Sequence, residues 1–414
     1  MAHRVFETVE TRRWSMTPDM NECAPTIVKS APPKVWLKRL TLTNVRNYAA
    51  LTFEMSPAPV VLFGSNGAGK TNLLEAVSLL APGQGMRRAT LSDIARHAGA
   101  GDWAVAAEVM RDDGIIDIGT GIRADRQRSE RSTSRIVRIN GETQTGSGAL
   151  ADVIEIAWLT PALDSLLTGP AAERRRFLDR LILCFDPSHR TRANQFERAM
   201  RQRNRLLDDG ARDSALFDGL EKLLAEAGVA MAAARLDAVA ALNAVAERRR
   251  ERAPNSPFPW ASAALEGVLE QHLDTMPAVD VEDRYADDLA RTRERDRAAG
   301  RTLIGPHRSD FHLTHGPKQM PGRMCSTGEQ KALLIGLVLA HAELSAARRD
   351  GAAPILLLDE IAAHLDEHRR RALFAELLLL GTQAWMTGTD RSAFAGLENR
   401  AGFYCVEDGS VTPI

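Results

Sequence analysis

With 414 residues, 44% of them hydrophobic, the chain is long enough to bury a large core and to build more than one lobe. Its charged residues (26%) balance to a formal net charge of −1, which excludes recognition of a partner by global charge and leaves only local clusters. Cys23, Cys184, Cys325 and Cys405 are too dispersed for a CxxC zinc site or a disulfide framework, as in a reducing cytoplasm, and no apolar run approaches the ~20 residues of a bilayer span.

Residues 1–34 hold Pro25, Pro32 and Pro33 among polar neighbours and have no signal-peptide core; they read as a disordered extension or as a start assigned too early. Residues 35–45 and 50–55 are expected as short strands, and 59–63 as a buried strand ending at glycine. A helix follows with Leu73, Leu74, Val77 and Leu80 on one face. Strand-like segments at 104–110, 115–122 and 136–139, with turns at Asp112-Asp113-Gly114 and Asn140-Gly141, give an antiparallel sheet beside the core.

Residues 171–300 change character: they are helical, rich in Ala, Leu and Arg, and divided at Pro187. Residues 214–250 carry Leu216, Leu220, Leu223, Ala227, Ala230 and Ala234 at helical spacing, a helix of roughly 50 Å at 1.5 Å per residue. Strand and helix alternate again in the last third, with 354–358 as another buried strand. The expected architecture is therefore an α/β head in two halves, 35–170 and 301–414, with an inserted helical arm at 171–300.

Gly64-Ser65-Asn66-Gly67-Ala68-Gly69-Lys70-Thr71 matches GxxxxGK[ST] between a strand and a helix. That pattern lets backbone N–H groups wrap the phosphates of ATP, brings an ammonium (Lys70, on an exposed loop) to the β- and γ-phosphates, and puts the Thr71 hydroxyl on Mg2+. Ile355-Leu356-Leu357-Leu358-Asp359-Glu360 supplies a buried strand ending in a magnesium-binding Asp359, with Glu360 placed to polarise water. Ser326-Thr327-Gly328-Glu329-Gln330 heads an apolar helix 262 positions after Gly64 and 33 before Asp359. It reads either as a capping box or as an anion site in which Ser326 and Gly328 meet a phosphate. The order P-loop, SxGEQ, Asp-Glu strand, then His364-Leu365-Asp366 is that of ATP-binding-cassette ATPases, and it decides for the second reading.

Residues 40–48 (LTLTNVRNY), the P-loop followed by Asn72 and Glu75, 159–179 (LTPALDSLLTGPAAERRRFLD), 305–310 (GPHRSD), 326–331 and 387–390 together resemble the RecF family of bacterial recombination mediators. The resemblance implies an ABC/SMC-like ATPase head with a short arm, closed by ATP into a homodimer that binds duplex or gapped DNA and reopened by slow hydrolysis. It also implies action near the nucleoid with RecR and, indirectly, RecO and RecA. By the same resemblance Arg46 and Asn47 face the nucleotide, and Thr389 and Asp390 stand where transporters carry a switch histidine; Gln84 is the candidate Q-loop glutamine.

For DNA, residues 174–205 hold ten arginines against Asp179, Asp186 and Glu197, and residues 123–138 hold six against Asp125 and Glu130. Such stretches are either solvated faces or a backbone-binding surface; Arg201, Arg203 and Arg205 are the residues expected to contact phosphates. His307 and Arg308 read equally as functional or as part of a hydrogen-bonded corner. A transporter ATPase subunit, a structural tether and a small-molecule kinase are the rival readings. The long interval before SxGEQ, the short arm and SxGEQ itself argue against each in turn.

Overall fold

The computed structural model describes residues 32–123, 134–184 and 186–414. The expected N-terminal extension (up to residue 31) and residues 124–133 of the second arginine stretch lie outside them. The first half of the chain runs β1 (Trp36–Val45), β2 (Tyr48–Glu54), β3 (Val60–Phe63), α1 (Lys70–Ser78), α2 (Leu91–Ile94), β4 (Trp103–Arg111), β5 (Gly114–Ile122), β6 (Ile136–Ile139), β7 (Glu142–Thr143) and β8 (Ile156–Leu159). The middle holds α3 (Ala171–Leu183), α4 (Ser188–Asp208), α5 (Ser214–Arg252), β9 (Ala261–Glu266), α6 (Val268–Leu273), α7 (Ala278–Arg291) and α8 (Arg293–Ala299). The last part adds β10 (Asp310–His315), β11 (Met320–Pro321), α9 (Thr327–Arg348), β12 (Ile355–Leu358), α10 (Glu367–Leu380), β13 (Ala384–Gly388), β14 (Gly402–Glu407) and β15 (Ser410–Pro413).

Two six-stranded sheets make the head. One is antiparallel, in the order β2-β1-β4-β5-β6-β7, and its hairpins turn where the sequence signalled: Asn140 and Gly141 both take positive φ, as a two-residue turn requires. The other runs β15-β14-β3-β13-β12-β8, parallel except at β15. Its central strands β3, β13 and β12 are apolar except for Thr387 near the end of β13, as strands covered on both faces must largely be. β13 lies between β3 and β12, so the carboxyl ends of three strands distant in sequence stand side by side.

The arm has its own small core, built from Phe196 and Ala199 on α4, Leu224 to Ala232 on α5, and Val281, Tyr285 and Leu289 on α7. The remainder of α5 (Ala238, Val239, Leu242, Val245) packs with α3 and α9 into the head core. By length and mean hydropathy α5 is long and apolar enough to cross a membrane, although charged residues such as Glu226, Arg235 and Asp237 interrupt its apolar run. Its buried residues, however, are shared between these two cores, and Arg235 in its middle is bonded to Asp179. The expectation of an all-helical insert fails at β9, which pairs antiparallel with β10 in a third sheet. Ala261 and Ala263 point inward while Ser262 and Ala264 point out, a period of two that an alanine-rich run disguises as helix.

Candidate functional site

The P-loop forms where the sequence puts it, between β3 and α1. Gly64 (φ 150) passes so close to β14 that a Cβ would lie 2.3 Å from the Val406 carbonyl oxygen, and at Gly69 (φ 111) a Cβ would meet Asn47 Nδ2 at 2.4 Å. Both positions demand glycine on conformation and on space. Lys70 opens α1 and, contrary to the expectation of an exposed loop residue, is only 6% exposed. Its ammonium donates to the Gly64 and Ser65 carbonyls (2.7 and 2.8 Å). Burial lowers its pKa, while Glu360 and Asp359 pull it back up, so the charge faces the acidic strand end.

That strand end is a hydrogen-bonded cluster. The Thr71 hydroxyl donates to Asp359 Oδ1 (3.0 Å), and the Thr387 hydroxyl donates to the same oxygen (2.8 Å) while accepting from the Glu360 N–H (2.7 Å). Burial raises the Asp359 pKa against these two hydroxyls, and the neighbouring Glu360 adds to the rise. Two hard oxygens, one a partly desolvated carboxylate, suit a magnesium ion that keeps most of its water. Glu360 takes a left-handed conformation (φ 51) and is exposed, which turns its carboxylate away from the core. Thr387 is a site residue that no local sequence pattern marks. The available signal was topological: β13, inserted between β3 and β12, must end between the P-loop and Asp359.

Arg46 and Asn47 flank the loop. The Arg46 guanidinium is bidentate on buried Glu75 (2.8 and 2.6 Å) and also reaches the Asp93 carbonyl (2.6 Å). Asn47 donates to the Ala68 carbonyl (3.3 Å) and accepts from Asn72 (2.8 Å), and Tyr48 donates to the Gly69 carbonyl (3.1 Å). Asn47 and Tyr48 thus brace the P-loop through its Ala68 and Gly69 carbonyls.

Thr71, Asp359 and Glu360 form one wall of a cleft of ≈ 950 Å³ whose other walls come from residues 82–88 (Gln84 among them), β8, α3 and α4. Ser326 and Gly328 are not among its lining residues. Ser326 stands exposed at the head of α9, next to Met324, an apolar side chain 66% exposed. Glu329 accepts from the Ser326 N–H (2.9 Å), the carboxylate half of a capping box. A bond from Lys318, with that N–H and the Ser326 side chain, holds its carboxyl at about 2. Gln330 donates to the Cys325 carbonyl (2.8 Å), and Lys331 pairs with Asp164 (3.5 Å). Asp366 caps α10 by accepting from the Arg369 N–H (2.8 Å).

The basic stretch divides. Arg201 and Arg205 are exposed on α4, but Arg203 is 0% exposed, paired with Glu221 (2.9 Å) and Asp296 (2.8 Å) and bonded to Thr302 and the Leu289 carbonyl. It cannot contact DNA, and that expectation is withdrawn. Arg135, from the second stretch, is also internal: it donates to the Gly83 and Leu79 carbonyls. The two distinctive segments at 169–179 and 305–310 hold each other. Arg174 is bidentate on Asp310 (2.8 Å), Arg175 donates to the Ser309 carbonyl (2.6 Å), and Arg235 links Asp179 (2.8 Å) to the Pro306 carbonyl (2.6 Å). His307 Nε2 bonds the Thr302 carbonyl (3.0 Å), so this corner joins arm to head.

Residues 36–412 match the family model described as RecF/RecN/SMC N terminal domain. The chain is 53% identical over 382 residues (92% of this chain, 99% of the other) to the DNA replication and repair protein RecF of Mesorhizobium japonicum. It is 52% identical over 380 residues, with the same coverage, to that of Rhizobium etli. Among solved structures it resembles the recombination mediator protein RecF-ATPrS of the RecFOR pathway, with TM-score 0.79, 22% identity and 93% and 100% of the two chains covered. It also resembles an SmcHead bound to the C-winged helix domain of ScpA, with TM-score 0.52, 16% identity and 92% and 97% covered.

Proposed function

This chain belongs to the RecF family, and on that premise we propose that it is an ATP-gated DNA-binding protein of replication and recombinational repair, working as a homodimer with RecR and RecO to help RecA load at gaps. The observation that carries the ATPase reading is the Thr71–Asp359–Thr387–Glu360 cluster, four residues from the start of α1 and the ends of β12 and β13 joined by hydrogen bonds of 2.7 to 3.0 Å. Magnesium would supply charge neutralisation on the terminal phosphates. The chain's own part is to bind and orient. Lys70 and the loop N–H groups hold the phosphates, and Thr71 and Asp359 offer the metal its protein oxygens. Thr387 fixes the Asp359 carboxylate and the Glu360 backbone together, leaving the Glu360 carboxylate free to orient water.

The dimer reading is supported by the position of Ser326. It is exposed, outside the cleft that contains Thr71 and Glu360, and beside an exposed methionine, as a signature helix completing a second subunit's site would be. For DNA, the exposed arginines Arg198, Arg201 and Arg205 fall at i, i+3 and i+7 on one face of α4. Buried Arg203 is not among them.

Sedimentation with ATP, ADP or no nucleotide, with and without gapped duplex, tests the whole reading. Wild type should dimerise on DNA with ATP; Glu360→Gln should accumulate that complex; Ser326→Arg should bind ATP and stay monomeric. Full ATPase activity from monomeric Ser326→Arg would sink the shared-site mechanism.

A further inference from the structure

The cleft beside the hydrolysis wall has more charge than the ATPase reading uses. Its lining includes five arginines, Arg87, Arg88, Arg176, Arg180 and Arg190, against Glu173, Asp179, Asp359 and Glu360. Most of these charges are already committed. Arg176 bonds Glu173, Asp179 is held by Arg235 and His189, Arg87 reaches Glu75, and Asp359 is held by Thr71 and Thr387.

Arg88, Arg180 and Arg190 are left, and no ion pair joins any of them to a carboxylate among the described residues. Arg180 lies over the Trp158 and Phe177 rings (4.5 and 5.1 Å), with one amino group on the Trp158 carbonyl (3.3 Å) and its Nε buried without a partner. Among the described residues Arg190 has one hydrogen-bond partner, the Ser147 hydroxyl at 3.4 Å, and Arg88 is exposed in a left-handed conformation (φ 54). Burial lowers the pKa of Arg180 to about 10 and lowers that of Arg190. Uncompensated guanidinium groups in a partly desolvated cleft disfavour the empty state and favour any anion that bridges them. Their forked donors suit the oxygens of a phosphate.

We infer that Arg88, Arg180 and Arg190, which line the same cleft as Thr71, Asp359 and Glu360, form a second oxyanion site that receives inorganic phosphate. The inference rests on the proposal that this wall hydrolyses ATP. Water adds to the terminal phosphorus and gives up a proton to the Glu360 carboxylate, the bond to the bridging oxygen breaks with its electron pair staying on ADP, and the freed phosphate passes to the arginines while ADP stays on the P-loop. Phosphate held there would delay reopening of the site, giving the protein a slow step after chemistry.

The test titrates inorganic phosphate calorimetrically into the full chain carrying Lys70→Ala, which removes the P-loop as a competing phosphate site and makes the readout independent of hydrolysis. Binding should persist in that background and weaken by about tenfold or more for each of Arg180→Met and Arg190→Gln. Arg88→Gln, at an exposed position that cannot disturb the core, should weaken it in the same direction. Phosphate binding that vanishes with Lys70→Ala alone, or that survives the three arginine changes together, would overturn the assignment. So would displacement of the bound phosphate by duplex DNA, which would make the arginines a nucleic-acid surface. If phosphate binds as expected while ATPase activity is absent from wild type, the oxyanion site stands and the hydrolysis reading falls.

Discussion

The P-loop and the corner at 305–310 look alike as sequence, both opening on glycine and ending in charge or hydroxyl, yet their polar groups find different kinds of partner. In the loop, Lys70 holds two carbonyls, and Thr71 shares Asp359 with Thr387; these bonds can be exchanged for phosphate and metal. At the corner, Asp310 is answered by a bidentate Arg174, and Asp179 by Arg235 and His189. The carboxylates there are all answered by guanidinium or imidazole groups, although Ser309 Oγ and His307 Nδ1 are buried without a partner among the described residues. The same contrast recurs two residues apart on α4, between exposed Arg201 and enclosed Arg203. A conspicuous charged residue is a site candidate only when its partners are replaceable.

Breaking a brace should cost stability and spare binding. Arg203→Met leaves Asp296 without its guanidinium in the arm core, and unfolding by urea should show a loss of about 3–5 kcal/mol, with ATP affinity unchanged. A loss under 1 kcal/mol would mean that the pair contributes little. Breaking the loop should do the reverse. Lys70→Ala removes the charge-assisted contacts to phosphate and should weaken ATP binding by about 100-fold or more, with an unaltered circular dichroism spectrum.

A third measurement sharpens the comparison through pH. His341, on α9, is fully buried and bonded to the Leu181 carbonyl of α3; burial, with Arg180 nearby, holds its pKa at about 4, against about 6.5 in an unfolded chain. Between those values the unfolded chain binds more protons. Stability is therefore full above about 6.5 and falls as pH drops toward about 4, by about 3 kcal/mol at most. Urea midpoints from pH 7 to 4 should show that decline, and His341→Gln should flatten it. The smallest effect belongs to the exposed arginines. Arg201→Ser with Arg205→Ser should move stability by less than about 0.5 kcal/mol while lowering the log–log salt slope of duplex binding by about 1.8, two phosphate contacts' worth. An unchanged slope would put the DNA surface off α4.

What was legible in the sequence follows from the range of the interaction concerned. The P-loop, the Asp359 strand and the SxGEQ helix could be read because each is a local pattern whose glycines, apolar run or cap dictate its own shape. Thr387 could not, because its role exists only once β13 is inserted between two other strands. Arg203 could have been separated from its neighbours: Phe196, Ala199, Arg203 and Leu207 recur at i, i+3, i+7 and i+11, the buried stripe of α4. An arginine count ignores that phase. β9 was hidden by alanine, whose helix preference gives way to pairing with β10.

The long helix α5 is continuous through both cores, and that makes it a mechanical element. Its 39 residues span about 58 Å at 1.5 Å per residue, with Arg235 as a fulcrum roughly 30 Å from its first turn. A tilt of about 10° there swings the far end of the arm by about 5 Å, by the same rise per residue. Arg235 is bonded to Asp179 of α3 and to the Pro306 carbonyl, so the point where α5 passes from one core to the other is tied to α3, which also lines the nucleotide cleft. A displacement of α3 at the cleft would therefore be passed along α5 to the arm.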